Sequence, residues 1–80
     1  MRFRVLLFAG LRERYGRDAV ECELSGDPPT AGELRAELEA QLEDLAAQGC
    51  RLAVDAAYAR DEDPLPPGAE CALVPPVSGG

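Results

Sequence analysis

The sequence predicts an α+β domain in which one helix packs across one face of a small mixed sheet. Three observations point to it. Two short segments near the start alternate apolar and polar residues with the two-residue period of a half-buried strand. A single longer stretch, residues 30–47, places leucines along one side of a helix. The remainder breaks into short apolar runs separated by proline, glycine and acidic turns. Eighty residues leave room for one small core, because a chain of this size buries only about 60% of its unfolded surface.

Residues 2–8 read as the first strand, with Phe3, Val5 and Leu7 alternating against Arg2, Arg4 and Leu6. The arginines, confined to the first half, mark an exposed face there. Residues 9–15 form a short helix or turn closed by Gly16. Residues 19–24 alternate again, Val20, Cys22 and Leu24 on one face and Glu21 and Glu23 on the other, which suggests an antiparallel partner for the first strand. After a loop at 25–29, Thr30-Ala31-Gly32-Glu33 fits an S/T-x-x-E capping box. The helix it opens is expected to run to about Ala47. Leu34, Leu38, Leu42 and Leu45 fall within about 80° of one another at 100° per residue, a stripe suited to core packing and too short for a coiled coil. Gly49 is the expected C-terminal glycine.

Residues 51–54 form a short strand, and residues 55–60 contain another around Tyr58 before the acidic turn Asp61-Glu62-Asp63. Pro64 and Pro66-Pro67-Gly68 punctuate the next loop. Residues 70–74 form the last strand, ended by Pro75-Pro76, which have no amide to donate to a ladder. The order is strand, strand, helix, two or three short strands, tail. With the last strand returning beside the first, this is the β-grasp pattern seen in ubiquitin. The expected division is a domain over residues 1–74 and an extended tail over 75–80.

The formal net charge is −7, and all eight basic residues are arginine, with neither lysine nor histidine present. An acidic chain opposes nucleic acid and anionic lipid, so the expected partners are proteins with basic docking faces. Without histidine there is no unperturbed group titrating near neutrality and no ordinary general base. A lysine-free chain also cannot receive isopeptide bonds on its side chains. Cys22, Cys50 and Cys71 have neither metal-site nor C-x-x-C spacing. Cys22 and Cys71 fall inside strands as small hydrophobes, and Cys50, just past a helix end, is the most exposed candidate. A thiol carrying reactive sulfur is the functional alternative, opposed by the poor nucleophilicity of buried thiols. The longest apolar run, Val5 to Ala9, is too short to span a membrane, and the expected location is the cytoplasm.

The chain's last two residues are Gly79 and Gly80. Two glycines supply a slim, flexible strand whose carboxylate has no neighbouring side chain. Such a tail can thread a narrow tunnel and present its carboxylate to an ATP-using enzyme. Pro75-Pro76 favour an extended conformation that costs less entropy to order.

The sequence resembles the MoaD family, the small sulfur-carrier subunits of molybdopterin synthase within the ubiquitin-like MoaD/ThiS superfamily. The resemblance rests on Val5-Leu6-Leu7-Phe8-Ala9 with Leu11-Arg12-Glu13, on Ala53-Val54-Asp55, and on Pro64-Leu65 through Gly68 to Val74-Pro75-Pro76-Val77-Ser78-Gly79-Gly80. The last stretch is the most specific. It implies a carrier cycle in which a ubiquitin-activating-like adenylyltransferase uses ATP and magnesium to adenylate Gly80, and a sulfur donor protein replaces AMP to leave a thiocarboxylate. The large subunit of molybdopterin synthase would then take the tail, including Val77, Ser78 and Gly79, and transfer sulfur to cyclic pyranopterin monophosphate. Two carriers would flank a dimer of large subunits. The chain would bind no cofactor or metal itself. Family members dock through an apolar patch beside the tail, and the matching positions are Phe8, Tyr58 and Val74, with Arg12 at the edge; Phe8 and Val74 read equally well as core. Relatives commonly carry asparagine where this chain has Asp55.

Other functions share these features. The sulfur could serve thiamine, a modified tRNA base or an amino acid. Gly80 could instead be joined to lysines of other proteins, as in a ubiquitin-like modifier. A plain interaction domain with an idle tail is the remaining reading.

Overall fold

A computed structural model describes residues 1–76. Within it the chain forms β1 (Arg2–Leu7), α1 (Gly10–Tyr15), β2 (Ala19–Glu23), α2 (Ala31–Gln41), a 3-10 turn (Leu45–Gln48), β3 (Arg51–Val54), β4 (Ala57–Tyr58) and β5 (Cys71–Val74). The five strands make one mixed sheet in the order β2-β1-β5-β3-β4. β1 pairs antiparallel with β2, Arg2 opposite Glu23 and Val5 opposite Val20. Its other edge pairs parallel with β5, Val5 beside Cys71 and Leu7 beside Leu73. β5 then pairs antiparallel with β3, and β3 with β4.

The alternation in β1 and β2 sets which face is buried. Phe3, Val5 and Leu7 join Val20, Cys22 and Leu24 on the inner face, all nearly inaccessible to solvent. Leu73 of β5 and Leu52 of β3 extend this face across the sheet, and Leu34 and Leu38 of α2 pack in the same core. No polar or charged residue is buried among the described residues, so this core incurs no desolvation cost for polar side chains.

The central helix is shorter than its leucine pattern predicts. It ends at Gln41, where Leu42 takes an extended conformation at φ −113°, and Asp44 follows in the left-handed region at φ 61°. Leu45 belongs to the separate 3-10 turn, which Gly49 closes at φ 68°. Leu42 and Leu45 are nonetheless buried. Both regular and broken backbone can deliver a leucine to the same core, so the stripe reports burial and overstates helix length. The capping box is half formed. Thr30 Oγ1 accepts from the Glu33 amide at 3.2 Å, but the Glu33 carboxylate reaches back to the Ser25 and Gly26 amides at 2.9 and 3.1 Å. It therefore ties the β2–α2 loop to the helix start. The strand ends also shift: Phe8 and Leu24 lie just beyond β1 and β2, and Glu70 just before β5.

Two turns hold the right-hand side of the sheet. Asp55 and Ala56, at φ 50° and 69°, form the two-residue connection between β3 and β4, with positive φ at both positions as a type I′ turn requires. The Asp55 amide donates to the Glu70 carbonyl at 2.8 Å, and Asp55 Oδ1 accepts from the Glu70 amide at 2.9 Å. The hairpin is thus clamped to the residue just before β5. The loop before β5 docks on the start of α2, where Ala31 donates to Asp63 O at 2.9 Å and buried Leu65 donates to Pro29 O at 2.8 Å.

Candidate docking face and tail root

With α2 covering the inner face, the outer face of the sheet is left open, and its side chains divide it in two. On one half, Arg2 and Arg4 of β1 stand opposite Glu23 and Glu21 of β2, with guanidinium-carboxylate distances of 3.5 and 4.0 Å. This half is charged and internally paired. On the other half the same parity of β1 turns apolar, with Leu6 and then Phe8. The register lines up Ala19, Leu6, Ala72, Ala53 and Tyr58 in one row across all five strands. The next row holds Val74 opposite Arg51.

Three alanines give this half a flat floor, and the large side chains stand around it. Phe8 is 45% exposed, Tyr58 52% and Leu6 37%. A shallow depression of about 230 Å³ lies between Leu6, Phe8, Ala53, Ala56, Ala72 and Val74, with Cys71 and one acidic residue, Glu70, also lining it. Contiguous apolar surface around a recess marks a contact site more than scattered exposed residues do. Arg51 lays its guanidinium over the Tyr58 ring, 4.0 Å from the centroid, an arrangement that keeps a cation on the rim of the patch.

The tail leaves from this half. β5 is the central strand, and its last residue, Val74, is half-buried on the outer face. Pro75 and Pro76 follow outside the ladder, with Pro76 beside Gly49. Because β5 runs parallel to β1, the tail root stands at the Phe8 end of the sheet and not at the paired-arginine end. Val77, Ser78, Gly79 and Gly80 lie outside the described residues.

The structure therefore brings Phe8, Tyr58 and Val74 to one half-face, with Pro75 and Pro76 following Val74 outside the ladder, and Phe8 and Val74 are outside the buried core. Arg12 is not among the residues lining the depression; it sits on α1, 4.0 Å from the Asp18 carboxylate. Sequence reasoning missed Leu6, Ala53, Ala72 and Arg51. Leu6 carried a legible signal, since it breaks the Arg-x-Arg pattern on the outward parity of β1. The alanines and Arg51 became visible only with the cross-strand register.

The cysteines offer little chemistry of their own. Cys22 is fully buried, and burial pushes its thiol up to about 11, with nearby Glu37 adding to the effect. Burial also raises the thiols of Cys71 and half-buried Cys50, the latter partly offset by Arg35. A protonated thiol is a weak nucleophile, so none of the three is primed at neutral pH.

Comparison with known proteins agrees with this architecture. The sequence matches the ThiS family over residues 5–80. It is 40% identical over 81 residues to the molybdopterin synthase sulfur carrier subunit of Escherichia coli K12, covering 96% of this chain and 98% of that one. Among solved structures, SAMP1 from Haloferax volcanii superposes with a TM-score of 0.81 at 27% identity, each chain covered in full. The complex of subunits 1 and 2 of molybdopterin-converting factor from Helicobacter pylori 26695 contains a chain matching with a TM-score of 0.71 at 25% identity, again over the whole of both chains. The β-grasp sheet, the single covering helix and a whole-length sequence match lead to one conclusion: this chain belongs to the ThiS family, as a homologue of the molybdopterin synthase sulfur-carrier subunit.

Proposed function

We propose that the chain carries sulfur as a thiocarboxylate on Gly80 and donates it to a pterin precursor in molybdopterin synthesis. The observation that carries this reading is the placement of the tail root. A chain whose last residues are Gly79-Gly80 leaves its central strand beside an open apolar half-face, so a partner covering that face also receives the tail. The carboxylate of a glycine is inert until it gains a leaving group. Adenylation by an ATP- and magnesium-using activating enzyme supplies one, and displacement of AMP by sulfur from a donor protein stores the sulfur as –COS⁻. The chain's own contribution is binding and presentation. Phe8, Leu6, Tyr58 and Val74 dock on the large synthase subunit, and Pro75-Pro76 project Val77 to Gly80 into its active site. The Helicobacter complex, in which subunits 1 and 2 associate, supports a large-subunit partner of this kind.

Incubation with ATP, magnesium, a sulfide source and the activating enzyme is expected to raise the intact mass by one oxygen-to-sulfur exchange mapped to Gly80. Appending a residue after Gly80 should abolish both that gain and sulfur transfer while preserving the fold. Transfer at the normal rate from the extended chain would refute the reading.

A second reading has one specific observation behind it. The likeness to the Haloferax small archaeal modifier protein 1, SAMP1, suits a protein modifier whose Gly80 is joined to lysines of targets. Ladders of heavier adducts in cell extract, lost on removal of Gly79-Gly80, would favour it.

A further inference from the structure

Among the described residues with positive φ, Gly16, Gly49, Gly68, Asp44 and Asp55 are of types that bear it readily. The others are alanines, Ala9 and Ala56, and both stand at the apolar half-face. Ala56 lines its depression, and Ala9 directly follows Phe8, which lines it as well. Ala9 is the more strained. At φ 49° and ψ −124° it meets the first central position of a type II′ turn, closed by the Leu11 amide donating to Phe8 O at 3.1 Å. That position ordinarily demands glycine. Gly10, one residue on, has no positive φ and open space where a Cβ would stand, so the glycine sits beside the position that needs it. Ala56, at φ 69°, holds the second central position of the β3–β4 turn, where glycine is preferred.

The surroundings impose both turns. Buried Leu7 and Leu11 anchor the chain on either side of Phe8 to Gly10, and Ala9 O accepts from the Arg12 and Glu13 amides at 3.1 and 3.4 Å. The second turn is held by the Asp55–Glu70 bonds and by Val54 pairing with Ala57. Glycine would adopt either backbone with no Cβ penalty. Ala9 and Ala56 are exposed, so core packing of their methyls offsets none of the strain. Strain of this kind clusters at functional sites. The register places the two alanines at opposite ends of the depression. Leu7 pairs with Leu73, which puts Ala9 beyond the Phe8 end, and Val54 pairs with Cys71, which puts Ala56 at the other.

We infer that Ala9 and Ala56 are specificity-determining contact residues of the docking face, their methyls closing the two ends of its apolar rim. The partner that fits is an apolar projection, seated in the depression and broad enough to touch both turns. On the function proposed above it belongs to the large synthase subunit, and the inference rests on that reading. The carrier gives up folding stability at these turns for apolar area that only a partner can cover. Each methyl, fully covered, strengthens binding about 4-fold, and the two acting independently about 15-fold.

The test titrates Ala9→Gly and Ala56→Gly, made in the whole chain, against the large subunit by calorimetry beside wild type and Phe8→Ala, and records their melting without partner. Each glycine is expected to raise the melting temperature and to weaken binding about 4-fold, opposite effects that a merely structural residue does not produce. A melting temperature that does not rise would overturn the inference, as would an unchanged or tighter affinity. Glycine also frees the backbone, which weakens binding without any lost contact. D-alanine in place of Ala56 separates the two causes, because it bears positive φ without that freedom. It is installed by joining a 1–49 thioester to a synthetic 50–80 peptide through Cys50. Its methyl points away from the native position, so binding should stay as weak as in Ala56→Gly, and recovery of wild-type affinity would overturn the contact. If Phe8→Ala weakens binding and the glycine variants do not, this inference alone fails. If none of the three does, the docking reading fails with it.

Discussion

Replacing Phe8 with alanine separates the two roles its position allows. The side chain is 45% exposed, so of the ~200 Å² a phenylalanine offers, about 90 Å² faces solvent and about 110 Å² is already covered by the domain. At roughly 25 cal/mol per Å², the exposed part is worth about 2 kcal/mol to a partner that covers it, and the covered part up to about 3 kcal/mol to folding. If the half-face docks on the large synthase subunit, Phe8→Ala should weaken the complex by about 30-fold. The folded monomer should lose less than in Leu38→Ala, which empties a fully buried site and costs about 2–5 kcal/mol. Titration calorimetry of each variant against the large subunit, at a temperature where circular dichroism shows both folded, reads the first quantity. Urea denaturation of the carriers alone reads the second. A complex weakened less than twofold by Phe8→Ala, with a stability loss equal to that of Leu38→Ala, would refute the docking assignment and return Phe8 to the core.

Other expectations follow from the backbone and the buried thiol. Ala56 sits at φ 69°, so Ala56→Gly removes a left-handed penalty of about 1–2 kcal/mol while adding unfolded-state entropy of about 0.5–1 kcal/mol. The net gain is centred near about 0.75 kcal/mol, so calorimetry should show the melting temperature rising by about 3–6 °C. Asp55→Asn keeps an acceptor for the Glu70 amide and tolerates φ 50°, so its urea midpoint should match wild type, whereas Asp55→Ala should lose about 2 kcal/mol. Cys22 is raised to about 11 from an ordinary 9.0, so folding favours its neutral thiol. That contribution is complete below pH 9 and is lost as pH rises from 9 to 11, by at most about 3 kcal/mol. Urea midpoints measured across this range should fall in wild type and fall less steeply in Cys22→Ala.

The elements of the fold were legible wherever one face is buried. Phe3, Val5 and Leu7 against Arg2 and Arg4 fixed both the strand and its orientation, because a one-residue slip would have buried two arginines. The leucine stripe located the helix but not its end, since Leu42 and Leu45 reach the core from backbone that is no longer α-helical. Asp44, a polar residue tolerant of positive φ, is the local feature behind that break, and it is inconspicuous among the neighbouring acids. Phe8, Tyr58 and Val74 were accessible through family resemblance. Their grouping was not, because it depends on β5 pairing with both β1 and β3 across distant parts of the chain. Alanine carries almost no signal in a linear sequence. Ala53 and Ala72 acquire meaning only once the register places them side by side.

The half-face and the tail divide the work in a way that kinetics can resolve. On the function proposed above, docking energy would come from apolar area around Leu6, Phe8 and Val74, and the reacting carbonyl would belong to Gly80, several residues further along the sequence. On that reading patch contacts would be made equally before and during sulfur transfer, so they would constitute uniform binding and should not lower the chemical barrier. Phe8→Ala thiocarboxylate should therefore need a higher concentration of carrier to saturate the large subunit, yet transfer sulfur at the wild-type rate once saturated. Changes in the tail act oppositely. Gly79→Ala leaves the patch intact and should bind within a few-fold of wild type, but a methyl group where the chain must be slim misplaces the carbonyl. Small misplacements of a reacting group can cost on the order of 100-fold in rate. Single-turnover transfer measured over a range of large-subunit concentrations separates the two parameters. If Phe8→Ala lowered the saturated rate as much as Gly79→Ala did, the patch would be taking part in placing the tail during the reaction, and the division between docking and presentation would fail.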